Sequence, residues 1–256
     1  MAGEALGLAL AALMGVSLGL LGGGGSVLAV PIFVYVLGYG VKEAIAMSLA
    51  VVGATSLFAA VGHWRRGDVS LRVALVFGTV AMMGTYLGAR LAAFFGGAAQ
   101  LTLFAAVMLL AAFFMLRDGA VPEEVPGRRG MRLALLVPEG LAVGVLTGLV
   151  GVGGGFLIVP ALVLLGRIPM RTAVGTSLLV IAMNSASGFA GYLEQAEIPL
   201  GFMTAFALAA MAGSLGGAAV AGLLPQKTLR KGFAGFLILA GAPILLENIY
   251  QSGVLN

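Results

Sequence analysis

The run Gly22-Gly23-Gly24-Gly25 stands inside an apolar stretch, between Leu18-Gly19-Leu20-Leu21 and Ser26-Val27-Leu28-Ala29-Val30-Pro31. Glycine costs a helix interior about 1 kcal/mol relative to alanine, so four together break the helix. In lipid, a broken backbone is tolerated only where it is buried in protein or lines a cavity. The device occurs twice. Gly151-Val152-Gly153-Gly154-Gly155 precedes Phe156-Leu157-Ile158-Val159-Pro160, and the two prolines stand 129 positions apart.

Applied without gaps, that offset aligns far more than the prolines. Gly15, Gly19, Gly22, Gly24 and Gly25 fall on Gly144, Gly148, Gly151, Gly153 and Gly154. Ser48-Leu49 falls on Ser177-Leu178, Ser56 on Ser185, Gly62 on Gly191 and Asp68 on Glu197. Gly84 and Gly88 fall on Gly213 and Gly217. An ungapped register that matches proline, serine and acidic positions as well as glycines is the mark of an internal duplication.

Of the 256 residues, 61% are hydrophobic and 9% charged, and the mean hydropathy is +1.11. Soluble domains carry about 25% charged residues, so the chain reads as a polytopic membrane protein. The absence of cysteine excludes disulfides, thiol nucleophiles, iron–sulfur clusters and cysteine zinc sites. A net charge of +4 in such a protein belongs to cytoplasmic loops rather than to nucleic-acid binding. Glu4 precedes the first apolar run and no Lys or Arg does. That is a poor secretory leader, and the run reads as the first membrane segment.

Residues 5–38 carry no charge. One helix of that length would be about 51 Å long, against a hydrocarbon core of roughly 30 Å. The glycines therefore divide it into segments 5–21 and 26–38, and spans at 44–64, 71–91 and 96–116 complete a first repeat, 1–116. The polar stretch 117–132, RDGAVPEEVPGRRGMR, reads as a linker. The second repeat, 133–256, gives segments 133–150, 156–166, 172–193, 199–224 and 232–250, with Gln226-Lys227-Thr228-Leu229-Arg230-Lys231 expected as a loop.

If each glycine run is the tip of a hairpin, each half has five embedded segments. Arg65, Arg66, Arg72, Arg117, Arg128, Arg129, Arg132, Arg167, Arg171, Lys227, Arg230 and Lys231 then share one face, and only Lys42 and Arg90 the other. If each run merely interrupts one crossing, the same residues divide evenly. Basic residues concentrate on the cytoplasmic side, which favours the hairpins. Five is odd, so the second half is inverted relative to the first. The expected fold is all-α: two inverted repeats, each a glycine-tipped helical hairpin plus three transmembrane helices, with the linker in the cytoplasm and both termini outside.

The short arms reach about 20 and 16 Å, so each tip should end within the bilayer, where the two can meet. A helix starts at each tip with amides that lack helical partners and a dipole worth about half a positive charge. Glycine lets a ligand approach such amides closely. Two helix starts facing one cavity make an anion site that needs no basic side chain. The expected binding residues are Gly22, Gly23, Gly24, Gly25 and Ser26 in one tip, and Gly151, Gly153, Gly154 and Gly155 in the other. Matched polar residues of the spans are candidate lining: Thr55 and Ser56 with Asn184 and Ser185, and Ser48 with Thr176 and Ser177. Each could instead bond its own helix. Gly84/Gly88 and Gly213/Gly217 read as close helix packing.

His63 lies at the end of a span beside Arg65 and Arg66, an interfacial place, and is weighed as a proton relay. Glu139 stands inside an apolar run, where an acid is a functional candidate by default. Gly15-Val16-Ser17-Leu18-Gly19 matches the nucleophile-elbow spacing but lies in an apolar helix, without the strand-turn-helix setting. Neither glycine run is followed by Lys-Ser or Lys-Thr, as a phosphate loop would be. No cofactor, metal set or catalytic group is implied.

Two copies of a motif close to G-x-G-G-G-x-x-x-x-P, Gly22–Pro31 and Gly151–Pro160, resemble the sulfite exporter TauE/SafE family. Ala46-Met47-Ser48-Leu49 and Gly175-Thr176-Ser177-Leu178 also fit its pattern. The resemblance covers nearly the whole chain. The copies differ where Gly23 and Ser26 stand against Val152 and Gly155, and Met47 against Thr176, which leaves open whether the tips contribute equally. The resemblance implies a bacterial or archaeal plasma-membrane permease for sulfur-containing anions such as sulfite, thiosulfate or organosulfonates. The expected partners are a small anion and the lipid bilayer, with no nucleic acid and assembly into a homo-oligomer left open. The alternative is a passive anion channel on the same helix ends, with an intramembrane enzyme less favoured.

Overall fold

A computed structural model describes residues 2–117, 133–150, 155–166, 168–192 and 200–251. The described residues are helical and contain no strand. Ten α-helices follow in order: α1 (Ala2–Leu21), α2 (Gly24–Pro31), α3 (Val41–Trp64), α4 (Leu71–Leu91), α5 (Gly97–Arg117), α6 (Leu133–Val150), α7 (Gly155–Pro160), α8 (Met170–Tyr192), α9 (Leu200–Ala221) and α10 (Gln226–Gln251). Among the described residues, six helices are long and apolar enough to cross a membrane: α3, α4, α5, α8, α9 and α10. This is a multi-pass, all-α membrane protein.

Among the boundaries that differ from the sequence reading, two involve charged residues. Residues 226–231 form the first turns of α10 rather than a loop. They follow Pro225 and are mostly good helix formers, so the charged end of the helix extends beyond its apolar span. Lys42 and Glu43 lie in the first turn of α3, where the Glu43 carboxylate accepts the Gly40 N–H at 3.3 Å and caps the helix start.

After Leu21 the chain turns back. A side chain on Gly25 would strike the Met14 carbonyl and Leu18, and one on Gly7 would sit 3.1 Å from the Leu37 side chain. Thus α2 runs antiparallel along α1. Each short arm then widens past its proline. The Leu37 N–H donates to the Ile32 carbonyl, five residues back, at 3.0 Å, and the Gly166 N–H donates to Ala161 at 3.0 Å. These wide turns, Ile32–Val36 and Ala161–Leu165, lie 129 positions apart, as do their prolines.

Glycines set the main helix contacts. Gly15 and Gly19 of α1 press on the carbonyls of Ala210 and Ser214 of α9, while Gly213 and Gly217 press back on Ala12 and Val16. Gly144 and Gly148 of α6 press on Ala81 and Thr85 of α4, while Gly84 and Gly88 press back on Leu141 and Val145. Every contact in one pair has its counterpart in the other at the same offset. Within each pair the residue numbers rise together, so the helices are parallel. At the centre the direction reverses. Gly53 of α3 meets Ser185 of α8, and Gly188 meets Leu49, so α3 and α8 are antiparallel.

The basic residues gather at one end of the bundle. Arg66 lies against Gly222, Arg171 bonds the Leu224 carbonyl at 3.0 Å and Arg230 bonds the Met115 carbonyl at 2.8 Å. At the other end, Lys42 reaches the Ala93 carbonyl at 3.4 Å.

Candidate functional site

The first break is built from one left-handed residue. Gly22 has φ +74°, a conformation that glycine adopts without a Cβ penalty, and its N–H closes α1 on the Leu18 carbonyl at 2.8 Å. Gly23 then leads into α2, and the Ser26 hydroxyl donates back to the Gly23 carbonyl at 2.7 Å. Residues 22–26 are all buried. Of the second tip, Gly155 is described, and Gly151, Gly153 and Gly154 lie outside the described residues.

The two tips touch. A Cβ on Gly23 would overlap the Gly155 carbonyl, and one on Gly155 would sit 2.7 Å from the Gly23 Cα and 3.1 Å from the Ser26 Oγ. Backbone therefore meets backbone, with no side chain between.

Helices α3 and α8 present matched stripes here. On α8, Ser177, Ile181 and Asn184 share one face, being four and three residues apart. The Ser177 hydroxyl reaches the carbonyls of Val174 at 2.8 Å and Gly22 at 3.3 Å. The Ile181 side chain lies 2.6 Å from a Cβ built on Gly155. Asn184 is one turn beyond. On α3 the equivalent stripe is Ser48, Val52 and Thr55. The Ser48 hydroxyl donates to the Ile45 carbonyl at 2.9 Å.

Thr55, Ser56, Asn184 and Ser185 are 0% exposed. Their side-chain polar atoms have no hydrogen-bond partner: Thr55 Oγ1, Ser56 Oγ, both ends of the Asn184 amide, and Ser185 Oγ. A buried donor or acceptor left unmade costs about 1–3 kcal/mol. All four lie on α3 and α8, which approach each other at Gly53 and Ser185, and such groups call for an explanation.

Three sequence candidates are placed otherwise. The Thr176 hydroxyl accepts the Ser70 N–H at 2.9 Å, so it secures the 65–70 loop. His63, in the last turn of α3, is packed inside the protein at 2% exposed, and its Nε2 lies 3.0 Å from the Gly19 carbonyl oxygen. Glu139 is half-buried on α6, eleven residues and therefore about 16 Å of helix before its end at Val150. Sequence reading missed Tyr192 and Gln100. The Tyr192 hydroxyl donates to the Gly148 carbonyl at 3.1 Å, and Gln100 Nε2 donates to Tyr192 at 3.1 Å and to the Leu149 carbonyl at 2.8 Å. The offset was the available signal, because Tyr192 falls on His63.

The sulfite exporter TauE/SafE family profile matches residues 7–244. The chain belongs to this family. A "probable membrane transporter protein" of Xylella fastidiosa (strain 9a5c) is 36% identical over 172 residues, 66% of each chain. The aligned part is thus just under two thirds of that relative's length. "Probable membrane transporter protein YdhB" of Bacillus subtilis is 28% identical over 240 residues, 91% of this chain and 96% of the relative. "Probable membrane transporter protein MJ0441" of Methanocaldococcus jannaschii is 29% identical over 187 residues, 71% of this chain and 69% of the relative. No solved structure matches. The family is named for sulfite export and each of these relatives for probable membrane transport.

Proposed function

We propose that the chain is a secondary transporter of small sulfur-containing anions such as sulfite, thiosulfate or organosulfonates. The anion is held where the glycine breaks meet. The observation that carries this reading is the set of fully buried, unpartnered polar atoms of Thr55, Ser56, Asn184 and Ser185 on α3 and α8, the latter of which reaches both tips through Ser177 and Ile181. Hydroxyls and an amide can donate to an oxyanion. The opening amides of α2 lack helical partners, and the α2 dipole favours negative charge there. No Lys or Arg occurs in residues 5–41, so the first hairpin offers backbone rather than a basic side chain.

The architecture supports alternating access. We read 1–116 and 133–256 as inverted repeats joined by a cytoplasmic linker, 117–132. The antiparallel crossing of α3 and α8 and the exchanged contacts of α1–α9 and α4–α6 agree with a two-fold relation between the halves, as in other transporters with broken helices and midplane sites. The test is counterflow of labelled thiosulfate in proteoliposomes, preceded by a binding screen of sulfite, thiosulfate, sulfoacetate and taurine. Saturable binding with counterflow is expected. Flux without counterflow indicates a passive channel, and the absence of binding by all four ligands overturns the substrate class.

A further inference from the structure

The last four carbonyls of a helix have no partner within it. In α1 these include Gly19 and in α6 they include Gly148. Each is met by a side chain from another helix, His63 at 3.0 Å and Tyr192 at 3.1 Å. These are one bond in two copies: His63 and Tyr192 stand 129 positions apart, and so do Gly19 and Gly148. His63 lies in the last turn of α3 and Tyr192 ends α8. Each accepted carbonyl is three residues before a glycine run, starting at Gly22 or Gly151. An imidazole and a phenol differ in shape, yet both place a donor on the same backbone oxygen.

We infer that His63 and Tyr192 are a matched pair of positioning residues that fix the last turns of α1 and α6, and so the shape of the two glycine breaks, and that the His63 latch alone is opened by a proton. The inference rests on the reading of the breaks as the anion site.

The asymmetry is chemical. The Tyr192 phenol is held by Gln100 and stays protonated near neutral pH. Histidine changes charge in that range. A carbonyl only accepts, so Nε2 of His63 carries the hydrogen and Nδ1 of the neutral ring is bare. Nδ1 is buried and without a hydrogen-bond partner. A second proton there creates a donor with nothing to receive it and a cation in a ring that is 2% exposed. The charged groups around it are Arg66 and Asp68 from its own helix end and the loop after it. From α8 it meets Gly175, with Arg171 one turn earlier. Residues 5–21 of α1 and all of α9 carry no ionisable side chain. Protonation therefore favours the ring turning out of its pocket towards Asp68, which releases Gly19 and loosens the first hairpin but not the second.

The experiment compares wild type, His63→Gln, His63→Leu and Tyr192→Phe from about pH 8 to about pH 5, the range in which histidine titrates. Thiosulfate is the ligand because its charge is constant across that range. In wild type its affinity should fall about tenfold on acidification, the scale of one lost hydrogen bond. His63→Gln keeps a donor without a proton switch, so it should bind like wild type at the alkaline end and show a flat profile. His63→Leu and Tyr192→Phe should bind about tenfold more weakly at every pH. Hydrogen exchange without ligand, corrected for intrinsic rates, reads the latch independently of transport. Exchange at residues 18–25 should rise on acidification in wild type and not in His63→Gln. A His63→Gln variant that keeps the wild-type pH profile of binding or exchange overturns the inference. Absence of thiosulfate binding in wild type counts against the anion reading, and the exchange result still decides the latch.

Discussion

The backbone of Gly23 packs directly on that of Gly155, closely enough that a methyl group on either would enter the other. The contact joins the end of the first break to the start of α7, with the Ile181 side chain and the Ser26 hydroxyl beside it. Alanine at Gly23 or Gly155 should therefore lower anion affinity about ten- to hundredfold, from an overpacking cost of about 1–3 kcal/mol. Gly24→Ala should be milder, because its Cβ meets side chains and not backbone, Leu21 at 3.0 Å and Phe236 at 3.4 Å, and Gly232→Ala, with nothing within 4 Å, should be silent. Isothermal titration of the four variants checks the order. Equal affinity across all four would place the site elsewhere.

Thr55 and Asn184 make a separate case, in which stability and binding move in opposite directions. Their polar atoms are buried without partners, so removing them relieves a cost of about 1–3 kcal/mol each. Thr55→Val and Asn184→Leu should hold or raise the melting temperature of the ligand-free protein while weakening anion binding at least about tenfold. A variant that melts lower and binds normally would make these groups structural.

Much of this was legible because the chain says it twice. The first glycine break, its hairpin and most helix boundaries follow from apolar length and the 129-residue offset. Gly84, Gly88, Gly213 and Gly217 read as packing positions, and each presses on a carbonyl of the neighbouring helix. What stayed hidden depends on rotation about a helix axis. Thr176 and Ser177 are adjacent, yet one bonds the Ser70 amide and the other reaches Gly22. A periodicity too weak to separate the faces of α8 cannot say which does which. The basic neighbours of His63 mark the end of a span, but not that its ring points at α1 and reaches the Gly19 carbonyl. Its pairing with Tyr192 was hidden because the aligned residues differ in type and share only a donor.

Topology can be read with single cysteines, since the native chain has none. A cysteine at Ala120 in the linker should react only with reagent on the cytoplasmic side. One at Phe94, which is 85% exposed and lies at the Lys42 end of the bundle, should react only from outside. Labelling of Ala120→Cys from outside alone would reverse the positive-inside assignment and with it the inverted-repeat reading.

The last prediction concerns what neutralises the anion. Lys42 bonds the Ala93 carbonyl and Arg171 the Leu224 carbonyl, so both hold helix ends. Arg90 lies beside the Tyr86 hydroxyl at 3.2 Å, and Arg167 follows the second short arm. None of these contacts involves a tip. A helix start contributes up to about 2 kcal/mol in a partly buried setting, and hydrogen bonds to a charged group about 1.5–3 kcal/mol each. Two starts and several such bonds reach the roughly 8 kcal/mol of micromolar binding. Lys42→Gln, Arg90→Gln, Arg167→Gln and Arg171→Gln should thus each change thiosulfate affinity by less than about tenfold and act mainly on the association rate and its salt dependence. Stopped-flow binding at low and high salt separates the two effects. Loss of binding in any one variant, with its fold intact, would mean that a basic side chain and not the peptide backbone holds the charge.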